Sequence, residues 1–143
     1  MSSDLQTLID GLNDDLAHEY QAILMYNSFA AMVTGIHRPM LKGFFETELP
    51  EELVHAQFLA NKIAALGGTP ATAPAPLTLA TTPVGMLRQV LDAETETIAR
   101  YVARRRQAEA VEDYGLAAEL DTILSDETRH KEETAKILRD LEG

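Results

Sequence analysis

The chain has 143 residues, 45% of them apolar and none of them cysteine. That is enough for one domain with its own core, and it excludes disulfides, thiolate zinc sites, iron–sulfur clusters and a cysteine nucleophile. A net charge of −11 argues against nucleic acid, whose affinity rests on Lys and Arg, and suits a protein that attracts cations.

The start, MSSDLQTLIDGLNDD, lacks the basic region and apolar core of a secretion signal. No apolar run approaches the roughly 20 residues of a membrane span, so a cytoplasmic chain without membrane contact is expected. A first helix is expected over 4–34, where Leu5, Leu8, Leu12, Leu16, Ile23, Tyr26, Ala30 and Val33 recur at steps of three, four or seven. GIHRP at 35–39 ends it, with Gly35 suited to a C-terminal cap and Pro39 to a restart.

The second pattern runs over about 40–66 and ends at Gly67-Gly68. Pro50 stands inside it, where an interior proline costs about 3 kcal/mol, so this helix either bends or divides in two. GGTPATAPAPLTLATTP follows as a connector. About sixteen extended residues reach roughly 50 Å, enough to run the length of a helix of about thirty residues. Thr82-Pro83 reads as an N-cap with proline at the first helical position. The third helix is expected over about 83–111, and the fourth over about 115–141 after a turn near EDYG. Residues 1–143 are thus expected to form a single all-α domain: a four-helix bundle with one long crossover between helices 2 and 3.

One offset, 75 residues, maps the first half onto the second. Leu12, Leu16, Glu19, Ile23 and Tyr26 become Leu87, Leu91, Glu94, Ile98 and Tyr101; Leu49, Glu52, His55 and Leu66 become Leu124, Glu127, His130 and Leu141. Two of the four histidines therefore lie in Glu-x-x-His, at EELVH (51–55) and DETRH (126–130). Glu19 and Glu52 are spaced symmetrically about the turn at Gly35-Ile36, which puts them at one height in an antiparallel hairpin, and Glu94 and Glu127 repeat that spacing.

The apolar stripes are Leu12-Leu16-Glu19-Ile23-Tyr26, Phe45-Glu48-Glu52-His55-Leu59-Leu66, Leu87-Leu91-Glu94-Ile98-Tyr101 and Leu116-Leu120-Ile123-Glu127-His130-Thr134-Ile137-Leu141. Each turns acid or imidazole inward at mid-length. Four buried glutamates at one level would repel one another and lack solvation. Two divalent cations balance four carboxylates, and residues at i and i+3 offer both side chains to one ion.

One Glu from each of two helices and Glu-x-x-His from each of two others resembles the ferritin-like superfamily of di-iron carboxylate proteins, in particular bacterioferritins and Dps-like ferritins, over nearly all of residues 5–141. The resemblance implies a ferritin-like fold and two iron ions per chain, with manganese as the alternative. It implies Glu19, Glu52, His55, Glu94, Glu127 and His130 as metal ligands and catalytic residues, Glu52 and Glu127 bridging, with Tyr26 in the place of the tyrosine beside the site of bacterioferritins.

The chain departs from the pattern in several places. The haem-ligating methionine of bacterioferritins is Leu53 here, so no haem is expected. The sequence stops at Gly143 without the short fifth helix of ferritin-type 24-mers, which opens the expected homo-oligomer to a dodecamer or a dimer. The cysteine pairs of a rubredoxin centre, and the pair of some Dps-like relatives, are missing.

The remaining candidates have plainer readings. Asp15-x-x-His18 has ligand-like spacing, but His18 points away from Glu19 and reads as a surface or interface residue; His37 reads as a solvated turn residue. Glu48 reads as a partly exposed acid, with an iron-entry or outer carboxylate role as the alternative. Glu94 is preferred to Glu96, whose face is less apolar, and Tyr101 reads as core. RRR at 104–106 reads as a solvated face paired with nearby acids.

The function expected is a ferroxidase: Fe(II) oxidised by O2 or H2O2 at a dinuclear site, for iron storage or detoxification in an oligomeric shell. The alternatives are a non-storage di-iron oxidase or peroxidase, rubrerythrin-like but lacking the rubredoxin domain, and a helical interaction module that binds no metal.

Overall fold

The computed structural model describes residues 3–142. Four helices follow in order: α1 (Ser3–Met32), α2 (Arg38–Ala65), α3 (Pro83–Ala110) and α4 (Tyr114–Glu142). No strand occurs among the described residues. α1 packs on α2, α3 on α4, and α1 on α3. The sequence-based boundaries agree to within two residues at each end, because the apolar periods and the Gly and Pro punctuation mark them. α2 continues through Pro50 as one helix, and the proline is exposed. Its missing N–H leaves one carbonyl unpaired on the solvent side, where water can serve.

The terminators work as their chemistry suggests. Gly35 and Gly67 take φ of +96° and +92°, a backbone region that favours glycine. The Gly67 N–H reaches the Ala64 carbonyl and the Gly68 N–H that of Ile63, closing α2. Thr82 caps α3 by accepting from Gly85 N–H at 3.0 Å, with Pro83 at the first helical position. Asp113 caps α4 by accepting from Leu116 N–H at 3.0 Å, and it pairs with Lys62 across the bundle end. Burial works against its charge, but Lys62 and the Leu116 N–H prevail and hold the Asp113 carboxyl below its usual value. Asp113→Ala should therefore lower stability by about 1 kcal/mol, read as a fall in the urea midpoint; an unchanged midpoint would show that neither the cap nor the Lys62 pair contributes.

The connector crosses along α1 and then reaches α3. Asn13 donates to the Thr69 carbonyl and accepts from Ala71 N–H; Ala75 N–H bonds the Ala17 carbonyl; Gln21 donates to the Pro76 carbonyl. Gln89 then donates to Thr78 O and accepts from Ala80 N–H. Side chains and one backbone carbonyl of the flanking helices thereby pair several backbone groups of this long segment.

The interior is two apolar bodies. One gathers Leu8, Leu12 and Leu16 with Leu59, Ile63, Ala108, Leu116 and Leu120. The other gathers Phe29, Val33, Leu41, Phe45, Met86, Leu87, Val90 and Leu138. Each helix passes from one body to the other, and the polar residues described next occupy the level between them.

A candidate metal centre at mid-bundle

All six side chains singled out by the sequence pattern are buried: Glu19 and Glu94 on α1 and α3, Glu52 and His55 on α2, Glu127 and His130 on α4. Glu96, the rival of Glu94, is exposed. Glu19, Glu52, His55 and Glu127 offer donor atoms that all lie within 4.8 Å of one another. A second group, sharing Glu52, is Glu48, Glu52 and His130. Glu94 belongs to neither group: Thr134 Oγ1 donates to its Oε1 at 2.8 Å, and Tyr26 OH donates to the same oxygen at 3.4 Å.

The histidines show which way the centre faces. His55 Nδ1 lies 3.4 Å from Glu127, 3.8 Å from Glu19 and 3.9 Å from Glu52, while its Nε2 faces Asp126 Oδ2 at 3.8 Å. His130 repeats the plan, with Nδ1 2.8 Å from Glu48 Oε2 and Nε2 in close contact with Glu51 Oε2. Glu51 and Asp126 were not recognised from the sequence, yet they are related by the same 75-residue offset. Each lies beside the ring nitrogen turned away from the carboxylate cluster, the position from which an outer carboxylate orients a ligating imidazole. A depression of about 200 Å³, lined by Pro50, Glu51, Val54, His55 and Asp126, reaches this outer side of His55.

The centre is electrostatically strained. Glu19 Oε2, Glu48 Oε2, Glu94 Oε2, Glu127 Oε1, His55 Nδ1 and His130 Nδ1 are all buried without a hydrogen-bond partner. Burial, and then the neighbouring Glu19 charge, pushes Glu52 well above the ordinary glutamate value. Burial raises Glu19 despite the contacts that favour its charge. Glu94 is pushed to about 8, chiefly by burial, against the Thr134 hydrogen bond. Burial pulls both imidazoles down, but carboxylates outweigh it: Glu127 and Glu19 raise His55, and Glu48 with Glu127 raises His130 to about 9. Oxygen and imidazole donors with orphaned atoms at one level fit divalent first-row cations, whose charge would relieve the strain.

A pH dependence follows. A group with a higher pKa folded than unfolded stabilises the fold fully below its unfolded value, and that contribution disappears as pH rises to the folded value. For Glu94 the window runs from 4.5 to about 8, and for His130 from 6.5 to about 9. Glu19 and Glu52 act in the same direction. In the presence of chelator, the melting temperature should therefore fall as pH rises from about 5 to about 8; a melting temperature that stays level or rises would contradict these directions.

Both inner tyrosines span α1 and α3. Tyr101 OH donates to Glu19 Oε1 at 2.5 Å, and the offset-related pair is Tyr26 with Glu94. Tyr101 is therefore a partner of the centre and not only a core residue. Burial, followed by Glu94 for Tyr26 and Glu19 for Tyr101, raises both phenols well above their ordinary value.

Four other residues meet or depart from their expected settings. Glu48 is buried, not partly exposed. Arg104 leaves the expected solvated RRR face to make a buried bidentate pair with Asp15, at 2.7 and 3.1 Å. His37 is exposed, and His18 is part-exposed with Nδ1 2.8 Å from the Asp14 carbonyl.

The sequence pattern described as a ferritin-like domain matches residues 9–143. Among solved structures, the chain is similar to a ferritin-like, diiron-carboxylate protein from Bacillus anthracis str. Ames. The identity is 47% and the TM-score 0.95, over 96% of this chain and 99% of that one. It is similar to a bacterioferritin-related protein from Bacteroides fragilis, described as a dodecameric thioferritin, at 30% identity and TM-score 0.86, over 96% and 87% of the two chains. A Dps protein from Bacillus brevis shares the fold at TM-score 0.90 and 22% identity, over 96% and 99%. No curated protein matches the sequence.

Proposed function

The chain belongs to the ferritin-like family, and from that premise we propose that it is a ferroxidase, taking Fe(II) as substrate and O2 or H2O2 as oxidant. The observation that carries this reading is the set of buried glutamates and histidines whose unpartnered oxygens and inward nitrogens share one level of the bundle. Such a set has little to offer stability without cations.

In this reading Glu19 and His55 serve one metal position, and Glu94 and His130 the other. Glu52 and Glu127 lie between them as bridges; membership of Glu52 in both donor groups supports its role. Iron is favoured over manganese because the similar protein from Bacillus anthracis is described as a diiron-carboxylate protein. Two ferrous ions give one electron each, which reduces O2 to peroxide or peroxide to water. Glu51 contacts the outer nitrogen of His130, and Asp126 faces that of His55 at 3.8 Å, the side from which a carboxylate orients an imidazole. Tyr101 and Tyr26 hold Glu19 and Glu94. The two apolar bodies flank the level on either side along the bundle.

The Bacteroides fragilis relative is described as a dodecamer, and we extend this to a homo-oligomeric shell for the present chain, acting in the cytoplasm as a single-domain protein. No helix among the described residues is long and apolar enough to cross a membrane. The test is aerobic loading with excess Fe(II), followed by a sizing column and assay of iron and protein in the eluted peak. Storage predicts iron far in excess of a bound pair, in a large particle. About two irons per chain would move the assignment to a non-storage di-iron oxidase or peroxidase. A folded protein that retains none would overturn the ferroxidase reading and leave the interaction module.

A further inference from the structure

The 75-residue offset makes the two halves of the centre comparable position by position, and the exceptions to it are informative. Glu48 maps onto Ile123. Both are buried, with exposures of 6% and 5%, so one half of the centre has a carboxylate where the other has a hydrocarbon. Its Oε2 has no hydrogen-bond partner, and neither has His130 Nδ1, 2.8 Å away. The two atoms are close without the alignment of a hydrogen bond. Neighbouring donors on one cation stand about 3 Å apart when each bond is about 2.1 Å.

We propose that Glu48 is a direct ligand of the metal position served by His130, so that the centre has five carboxylates and its two positions are unequal. This rests on the dinuclear reading above and adds to it a residue outside the six-ligand pattern. His55 turns Nδ1 toward Glu19, Glu52 and Glu127, and Nε2 toward Asp126. By the same plan His130 Nδ1 is the metal-facing nitrogen, and Glu48 lies on that side; the outer place, on Nε2, already belongs to Glu51. No Lys or Arg ion pair with Glu48 occurs among the described residues to give it another role. Glu94, by contrast, is held back by Thr134 at a position where the first half has Leu59. The His55 position is therefore built from Glu19, Glu52 and Glu127, and the His130 position gathers Glu48 and Glu52, while Glu94 is bonded to Thr134.

Anaerobic calorimetric titration of chelator-stripped protein with Co(II), a divalent ion that does not oxidise under these conditions, reads binding without turnover. Wild-type protein should bind in two unequal steps, and Glu48→Gln should weaken one of them by about 10–100-fold while leaving the other unchanged. Two unchanged steps, or two steps weakened equally, would overturn the ligand role and leave the dinuclear reading intact. No binding to folded wild-type protein would overturn both. Helicity of metal-free E48Q establishes that it folds. Should it not fold, cobalt anomalous diffraction from the wild type decides: a cobalt bonded to Glu48 upholds the proposal, and cobalt at both positions with Glu48 unbonded overturns it.

Discussion

Glu52→Gln should abolish aerobic iron oxidation and, in the same protein, raise the melting temperature of the metal-free form. Glu52 is the carboxylate common to both donor groups, so in the proposed centre its loss would remove an oxygen from each metal position. Changes to groups that merely orient a ligand cost 10–100-fold in affinity or activity, and loss of a shared ligand should lower the initial oxidation rate by at least about 100-fold. The gain in stability has a separate cause. Burial and the Glu19 charge hold the Glu52 carboxyl well above its ordinary value, so at neutral pH the metal-free fold carries the cost of keeping it protonated. Glutamine has the same shape and no such cost, and carboxylates around it can accept from its amide. A rise of a few degrees in chelator, with iron oxidation gone, is the expected pair of results. A rate within about twofold of wild type would remove Glu52 from the centre, since no shared ligand can be lost so lightly. A lower melting temperature would mean that Glu52 has structural value of its own.

Asp15→Ala should destabilise the fold by about 3–5 kcal/mol. Asp15 on α1 and Arg104 on α3 form a bidentate pair one turn from Glu19 and Tyr101, and both side chains are buried. The guanidinium lies across Gly11, where a Cβ would fall 1.9 Å from its Nη1; only a glycine leaves that space open. Removing one partner of such a pair leaves a buried charge uncompensated, at a cost of about 3–5 kcal/mol. Burial outweighs the Arg104 interactions and leaves the Asp15 carboxyl above its ordinary value, so the pair gains little over an apolar replacement. The double variant Asp15→Leu/Arg104→Leu should therefore recover most of the loss in urea denaturation. A cost below about 1 kcal/mol for Asp15→Ala would place the pair with weak surface contacts.

Asp15 and Arg104 also illustrate what the sequence conceals. They are 89 residues apart, and Arg104 stands in a run of three arginines whose neighbours do face outward or half outward. Nothing local marks it as buried; the clue, a glycine on the inward side of α1, has meaning only once α3 is seen to cross there. The centre itself was legible because it obeys two short-range rules at once. Glu and His three residues apart share a helix face, and the duplication placed Glu19 and Glu94 at matching heights on apolar stripes. Glu48 lies on the inward stripe of α2, one turn before Glu52, yet reads from the sequence as a partly exposed acid. Its burial depends on the level at which α2 meets α4, which the periodicity of α2 does not determine. Glu51 and Asp126 went unrecognised for the opposite reason. They sit one residue before each Glu-x-x-His glutamate, off the inward stripe, and reach the imidazole of the facing helix, not their own. The 75-residue offset pairs them, and asking which further acids it pairs would have found them.

Two metal ions should bind at this level of the bundle, with Glu52 and Glu127 between them. Crystals exposed to Fe(II) without oxygen, with diffraction recorded at the iron absorption edge, test it most directly. Two iron peaks per chain are expected, one against Glu19 and His55, the other against His130, with Glu52 and Glu127 between them. A single peak, or iron found only on the acidic surface with this level empty, would contradict it.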